Sequence, residues 1–257
     1  KPFIDQLLEK KKYNNDVKSI TLDIKDKESF LGEIFDHIDD IFGSSWAKAL
    51  SDSYIVNEKD EIETTSRAKS IVELMIPEER SIEGLNILDF GCGDGKTSKA
   101  LLEKNANKVI GFDIKQHNKW ESTENLIYTT DYKLVEENGP YDFILGYNVL
   151  DYIENPEQTL KSLGEMLNKK GSISLRMFPW IGRFGGDLHR QINKAFIHLI
   201  FSEQILKDKG YNIPFKNKVI HPIMTYKNWI KYANLEIVKE IKESQPVEDF
   251  FIDNFKV

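Results

Sequence analysis

The residues whose types and spacing could do chemistry are Asp89-Phe90-Gly91-Cys92-Gly93-Asp94-Gly95. An apolar run from Asn86 to Phe90 leads into them and a helical pattern from Thr97 to Lys104 follows, so the stretch reads as a buried strand entering a helix through a tight loop. Glycines at alternate places permit positive φ and bring the backbone close to a ligand, and the helix N-terminus would aim unpaired N–H groups at it. A dinucleotide loop wants Gly-x-Gly-x-x-Gly. Here the third glycine arrives one residue early, at Gly95, and Lys96 holds the place it would need. Asp89 would also set negative charge beside a diphosphate, whereas it suits a cationic ligand.

Further acids close later apolar runs. Val109–Ile114 contains Asp113, Asn125–Tyr132 contains Asp131, Tyr141–Leu150 contains Tyr147 and Asn148, and Gly171–Arg176 forms a fifth run. With the glycine loop at their head and in this order, these stretches resemble the class I S-adenosylmethionine (SAM) dependent methyltransferases. The resemblance covers roughly residues 60–176 well and 223–257 loosely. It implies SAM as cofactor and S-adenosylhomocysteine as its product. Asp89, Gly91, Cys92, Gly93 and Gly95 would then lie along the amino-acid tail and ribose, with Asp89 near the tail's ammonium. Asp113 would accept from the ribose hydroxyls and Asp131 from the adenine amino group, with Ile114 and Tyr132 flanking the ring and Tyr147 beside the cofactor.

Composition narrows the rest. The chain of 257 residues is 40% hydrophobic and 30% charged, ordinary for a soluble protein with a substantial core. Its one cysteine, Cys92, excludes an internal disulfide and reads as a small buried residue rather than a nucleophile. No metal site is expected; Asp36, His37, Asp39 and Asp40 read as a solvated acidic helix face. No apolar run approaches the ~20 residues of a membrane span. The chain starts at Lys1 rather than Met, which leaves room for a removed tag or leader, and the expected location is cytoplasmic.

The net charge of −7 is unevenly spread. From Arg176 to His221 eight Lys or Arg stand against three Asp or Glu, and three of the five arginines, Arg176, Arg183 and Arg190, fall within fifteen residues. Arginine makes fixed, paired contacts to carboxylate and phosphate, so the cluster suggests an anionic substrate group. The acidity of the remainder argues against a nucleic-acid partner.

Strands at 86–90, 108–113, 125–130, 141–147 and 171–176, with helices at 97–104 and 156–168, alternate as in a parallel sheet covered on both faces. Ligands to such a sheet bind beyond the carboxyl ends of its strands. The expectation is an α/β, Rossmann-like, seven-stranded and mostly parallel sheet with helices on both faces. Residues 1–59 would form an N-terminal, mainly helical cap. Residues 60–257 would form the catalytic domain, with a lid at about 177–222 inserted after the fifth strand. A helix is expected from Thr225 to Tyr232, stopped at Asn234, and 235–242 with 249–257 would make a closing antiparallel pair. In the lid, His189 and His198 are candidate general bases, and Arg183, Arg190 and Trp180 candidate substrate contacts. Tyr147 and Asn148 could hold the acceptor.

The leading reading is methylation of O or N on a small, anionic metabolite or sugar. An RNA methyltransferase and a non-catalytic SAM-binding scaffold are the alternatives. The acceptor and the oligomeric state stay open.

Overall fold

The computed structural model describes residues 61–177, 192, 197–212 and 223–241. The chain divides into two compact units, Val56–Pro179 with Lys218–Glu240, and Lys1–Ile55 with Trp180–Asn217 and Ile241–Val257. In the first unit the described elements are α1 (Glu61–Met75), β1 (Asn86–Phe90), α2 (Lys96–Glu103), β2 (Lys108–Phe112), β3 (Leu126–Thr129), α3 (Tyr132–Glu137), β4 (Tyr141–Tyr147), α4 (Pro156–Glu165), β5 (Leu167–Arg176) and α7 (Ile223–Tyr232). The second unit contributes two short helices, α5 (Ile197–Ile200) and α6 (Glu203–Asp208).

The five described strands form one sheet in the order β3-β2-β1-β4-β5, with every pair parallel. Alternation along each strand sorts side chains to the two faces. Ile87, Val109, Leu126 and Leu145 join a cluster with Ala68, Val72 and Met75 of α1 and Ala100 and Leu101 of α2. Leu88, Phe90, Ile110 and Ile144 join the opposite cluster, with Val135 of α3 and Leu163 of α4. Helices thus cover both faces, which is why the middle strands read as unbroken apolar runs. A register shift lies between Tyr141 and Phe143, with the extra residues on β5, and these two residues, two apart, join the clusters on opposite faces.

Local signals account for the boundaries. Gly95, left-handed at φ 83°, starts α2, and Pro156 opens α4 at its first turn. Asn234, left-handed at φ 55°, follows α7, whose end is closed by the Leu235 amide donating to the Ile230 carbonyl. Two features differ from expectation. The strand after α4 begins at Leu167 rather than at Gly171, and α3 was not expected; Asp131 caps it and Val135 is its buried anchor. Residues 235–241 carry no regular secondary structure, so the expected closing strand does not form over them, and 249–257 lie outside the described residues. The sheet shows five strands among the described residues, where seven were expected.

Leu88 is fully buried in the central strand. Leu88→Ala should lower unfolding free energy by about 2–5 kcal/mol, seen as a lower urea midpoint at unchanged slope.

Candidate functional site

Because all five strands are parallel, their carboxyl ends share one rim, and the order reverses between β1 and β4. The β1–α2 loop occupies that point. Gly91, Gly93 and Gly95 all take positive φ, at 81°, 53° and 83°, but they face different things. A Cβ on Gly91 would lie 2.5 Å from Val149 Cγ2, and one on Gly95 would lie 2.6 Å from the Tyr128 ring. A Cβ on Gly93 would meet nothing within 4 Å. Two of the glycines therefore admit protein side chains, and Gly93 turns its bare Cα outward.

The loop's amides run against expectation. Gly91 and Cys92 both donate to the Phe112 carbonyl, at 2.8 and 2.9 Å, and Gly95 donates to the Cys92 carbonyl at 3.0 Å. The Gly93 amide donates to Asp113 Oδ2 at 2.9 Å and the Lys96 amide to Asp94 Oδ1 at 3.3 Å. A phosphate cradle needs such groups aimed at the ligand. Here they are spent on the protein.

Asp113, at the end of β2, is half-buried, and its Oδ1 accepts from the Lys115 amide at 3.2 Å. Each of its oxygens has further acceptor capacity. Two aromatic residues unnoticed in the sequence support the loop. Trp120 Nε1 donates to the Gly93 carbonyl at 2.9 Å, Tyr128 Oη donates to the Gly95 carbonyl at 2.6 Å, and the two rings stack 5.3 Å apart. Burial pushes the Tyr128 phenol well above its ordinary pKa, so it stays a donor.

Asp89 is 2% exposed, and its Oδ2 accepts from Ser98 Oγ of α2 at 2.6 Å. Burial raises its pKa to about 7 despite the Ser98 bond, which opposes the shift. The same burial, with Asp89 and Asp113 nearby, holds the Cys92 thiol far above its usual range, which removes it as a nucleophile.

At the other side of the switch, Tyr147 ends β4 and Asn148 follows in the left-handed region at φ 53°. Arg176, the last residue of β5, holds both. Its Nη1 donates to Asn148 Oδ1 at 2.9 Å, its Cζ lies 4.9 Å from the Tyr147 ring centroid, and its carbonyl accepts the Asn148 amide at 2.8 Å.

The remaining sequence candidates are distributed as follows. Ile114, next to Asp113, is 89% exposed. Asp131 caps α3, its Oδ1 accepting the Lys133 amide at 2.9 Å, and Tyr132 packs edge-on against Phe112. His198 is buried in α5, in the second unit. Trp180, Arg183, His189 and Arg190 lie outside the described residues. Among the described residues there is no cluster fit to hold a metal ion, and no helix is long and apolar enough to cross a membrane.

Residues 61–240 match the sequence profile of a family described as "Methyltransferase domain". Over 113 residues the chain is 26% identical to the mitochondrial ubiquinone biosynthesis O-methyltransferase of Dictyostelium discoideum, an alignment covering 36% of this chain and 35% of that protein. Over 166 residues it is 23% identical to the ubiquinone biosynthesis O-methyltransferase of Dechloromonas aromatica, covering 61% and 66%. The matched region thus spans from about a third to just under two thirds of these relatives' length. Among solved structures, an S-adenosylmethionine dependent methyltransferase of Listeria monocytogenes superposes with a TM-score of 0.50 at 16% identity, over 72% of this chain and 92% of that one. At that identity the likeness is one of fold.

The Asp89 environment makes a pH prediction. Its native pKa lies above that of the unfolded chain, so its stabilising contribution is full below about pH 4 and is lost as pH rises through about 7. Asp89→Asn removes this dependence. Relative to wild type, the variant should gain on the order of 1–3 kcal/mol between about pH 5 and about pH 8, read from urea unfolding at each pH.

Proposed function

The chain belongs to the family described as "Methyltransferase domain", and from that premise we propose that it is an S-adenosylmethionine-dependent methyltransferase acting on a hydroxyl oxygen of a small, anionic acceptor. Two things support oxygen and small size: the O-methyltransferase names of its relatives, and an acidic chain that would repel a polyanion over its length. The observation that carries the anionic part is the placement of Arg176 at the rim beside Tyr147 and Asn148, at the head of the sequence segment that also holds Arg183 and Arg190.

The residues present fit the cofactor. The amides of Gly91, Cys92, Gly93 and Gly95 turn inward rather than towards a diphosphate, while the open Cα of Gly93 leaves room for a ligand to approach the backbone. In this reading Asp113 holds the ribose hydroxyls with its remaining lone pairs, and exposed Ile114 covers one face of the adenine. Asp89 sits behind the loop, where a nearby ammonium would favour its ionised form.

When bound, SAM would supply a methyl group on a positively charged sulfur. The protein's share is alignment and exclusion of water. Tyr147 and Asn148, fixed by Arg176, form the acceptor-side wall. Removal of the hydroxyl proton, for which the sequence offers His189 and His198 as candidates, would contribute about 100- to 10,000-fold.

Calorimetry should show binding of both SAM and S-adenosylhomocysteine, weakened by about 1–3 kcal/mol in Asp113→Ala. Unchanged affinity in that variant would remove Asp113 from the ribose site. Screening phenolic, carboxylated, phosphorylated and neutral acceptors tests the rest. Arg183→Ala or Arg190→Ala should raise KM for the preferred acceptor about 10- to 100-fold with SAM affinity retained. Preference for a neutral acceptor, insensitive to both substitutions, would overturn the anionic reading.

A further inference from the structure

Gly93 has the open face of the loop, and both of its backbone polar groups are nonetheless held by side chains. Its N–H is taken by Asp113 Oδ2 and its C=O by Trp120 Nε1, each at 2.9 Å. Both partners come from the single connection between β2 and β3, which runs from Asp113 to Asn125. That connection is largely exposed from Ile114 to Asn125, with Trp120 turned in to stack on Tyr128. Tyr128 is in turn wedged, since a Cβ on Gly95 or Gly111 would come within 2.6 or 2.7 Å of its ring.

We propose that Trp120 is a positioning residue for the cofactor, acting through the carbonyl of Gly93. Glycine at positive φ has the widest conformational freedom of any residue, and ordering it costs the most. A loop left free to rotate at Gly93 would meet that cost on binding. The indole N–H meets it beforehand, because it fixes the peptide plane that follows Gly93 while Asp113 fixes the one before. Together with the Asp113 bond, this bond ties the segment bearing Ile114 to the loop, so Trp120 helps set both banks of the cofactor site. Trp120 need not touch the cofactor to do this. The inference rests on the cofactor site lying at Gly93 and Asp113.

The test replaces Trp120 with phenylalanine, which keeps a ring for the stack and loses the N–H, and with benzothienylalanine, which keeps the size and shape of indole with sulfur in place of the N–H. SAM is titrated into wild type and both variants by calorimetry, and amide exchange is followed at 93–95 and in β1. The expected result is a five- to tenfold rise in Kd for SAM in both variants, the loss of one neutral hydrogen bond. Faster exchange at 93–95 should accompany it, with β1 protection unchanged. If Trp120→Phe also loosens β1, the benzothienyl variant decides. Wild-type affinity in the benzothienyl variant, or faster exchange in β1 as well as in the loop, would overturn the proposal. Failure of wild type itself to bind SAM would count against the cofactor site, whereas wild-type binding unaffected by either replacement counts against Trp120 alone.

Discussion

The rim depends on a steric constraint: at Gly91 and Gly95 there is no room for a Cβ. Val149, just beyond β4, fills the space beside Gly91, and the Tyr128 ring from β3 fills the space beside Gly95. Both glycines also adopt positive φ, where any other residue is strained. The close approach joins the first strand's loop to the third and fourth strands, neither of which is its neighbour in sequence. A substitution at either glycine would therefore do more than stiffen a loop; it would force apart the strand ends that the loop organises.

The buried acid behind that loop follows from the same packing. Asp89 lies on the face of β1 that meets α2, where the alternation of the strand demands a side chain directed inward. Ser98 supplies one donor, and burial raises the carboxyl's pKa to about 7, where the protonated and ionised forms are balanced. A buried carboxylate with one hydroxyl partner is costly when charged and tolerable when protonated. A site poised between the two states can respond to a cation without being held permanently ionised. The Cys92 thiol and the Tyr128 phenol around it are both kept neutral by burial. The acid can therefore change charge while its neighbours do not.

Much of the sheet was legible because its information is local: apolar runs, glycines, and acids closing strands. Strand positions, the parallel sheet with helices on both faces, and the stop at Asn234 follow from such signals. The aim of the loop amides was not legible, since whether Gly93 N–H faces a ligand or Asp113 depends on where β2 ends, twenty residues away. Trp120 and Tyr128 escaped for the same reason. An indole in a polar connection and a tyrosine in a strand carry no period that marks them as supports for a distant loop. The α3 helix, with one buried residue, has too short a pattern to outweigh the turn signal of Asp131. Leu167 joins the sheet through pairing with Tyr141, a contact that periodicity within α4 cannot anticipate.

The two halves of the rim are built by different means, and this bears on how each could change. The glycine-loop half is held by backbone groups: carbonyls of Phe112, Gly93 and Gly95, amides of Gly91 and Cys92, and side chains that bond to them. Its geometry tolerates few substitutions, because the partners are main chain and the spaces are sized for glycine. The half at the ends of β4 and β5 is set largely by one side chain, Arg176, through a cation–π contact to Tyr147 and a bond to Asn148. The Asn148 amide to Arg176 carbonyl bond and the β4–β5 pairing there are independent of side-chain identity. Replacing Arg176 would leave that backbone bond and the glycine loop in place while freeing Tyr147 and Asn148 to take other orientations. Changes at β4 and β5 can therefore reshape that half of the rim without disturbing the glycine loop.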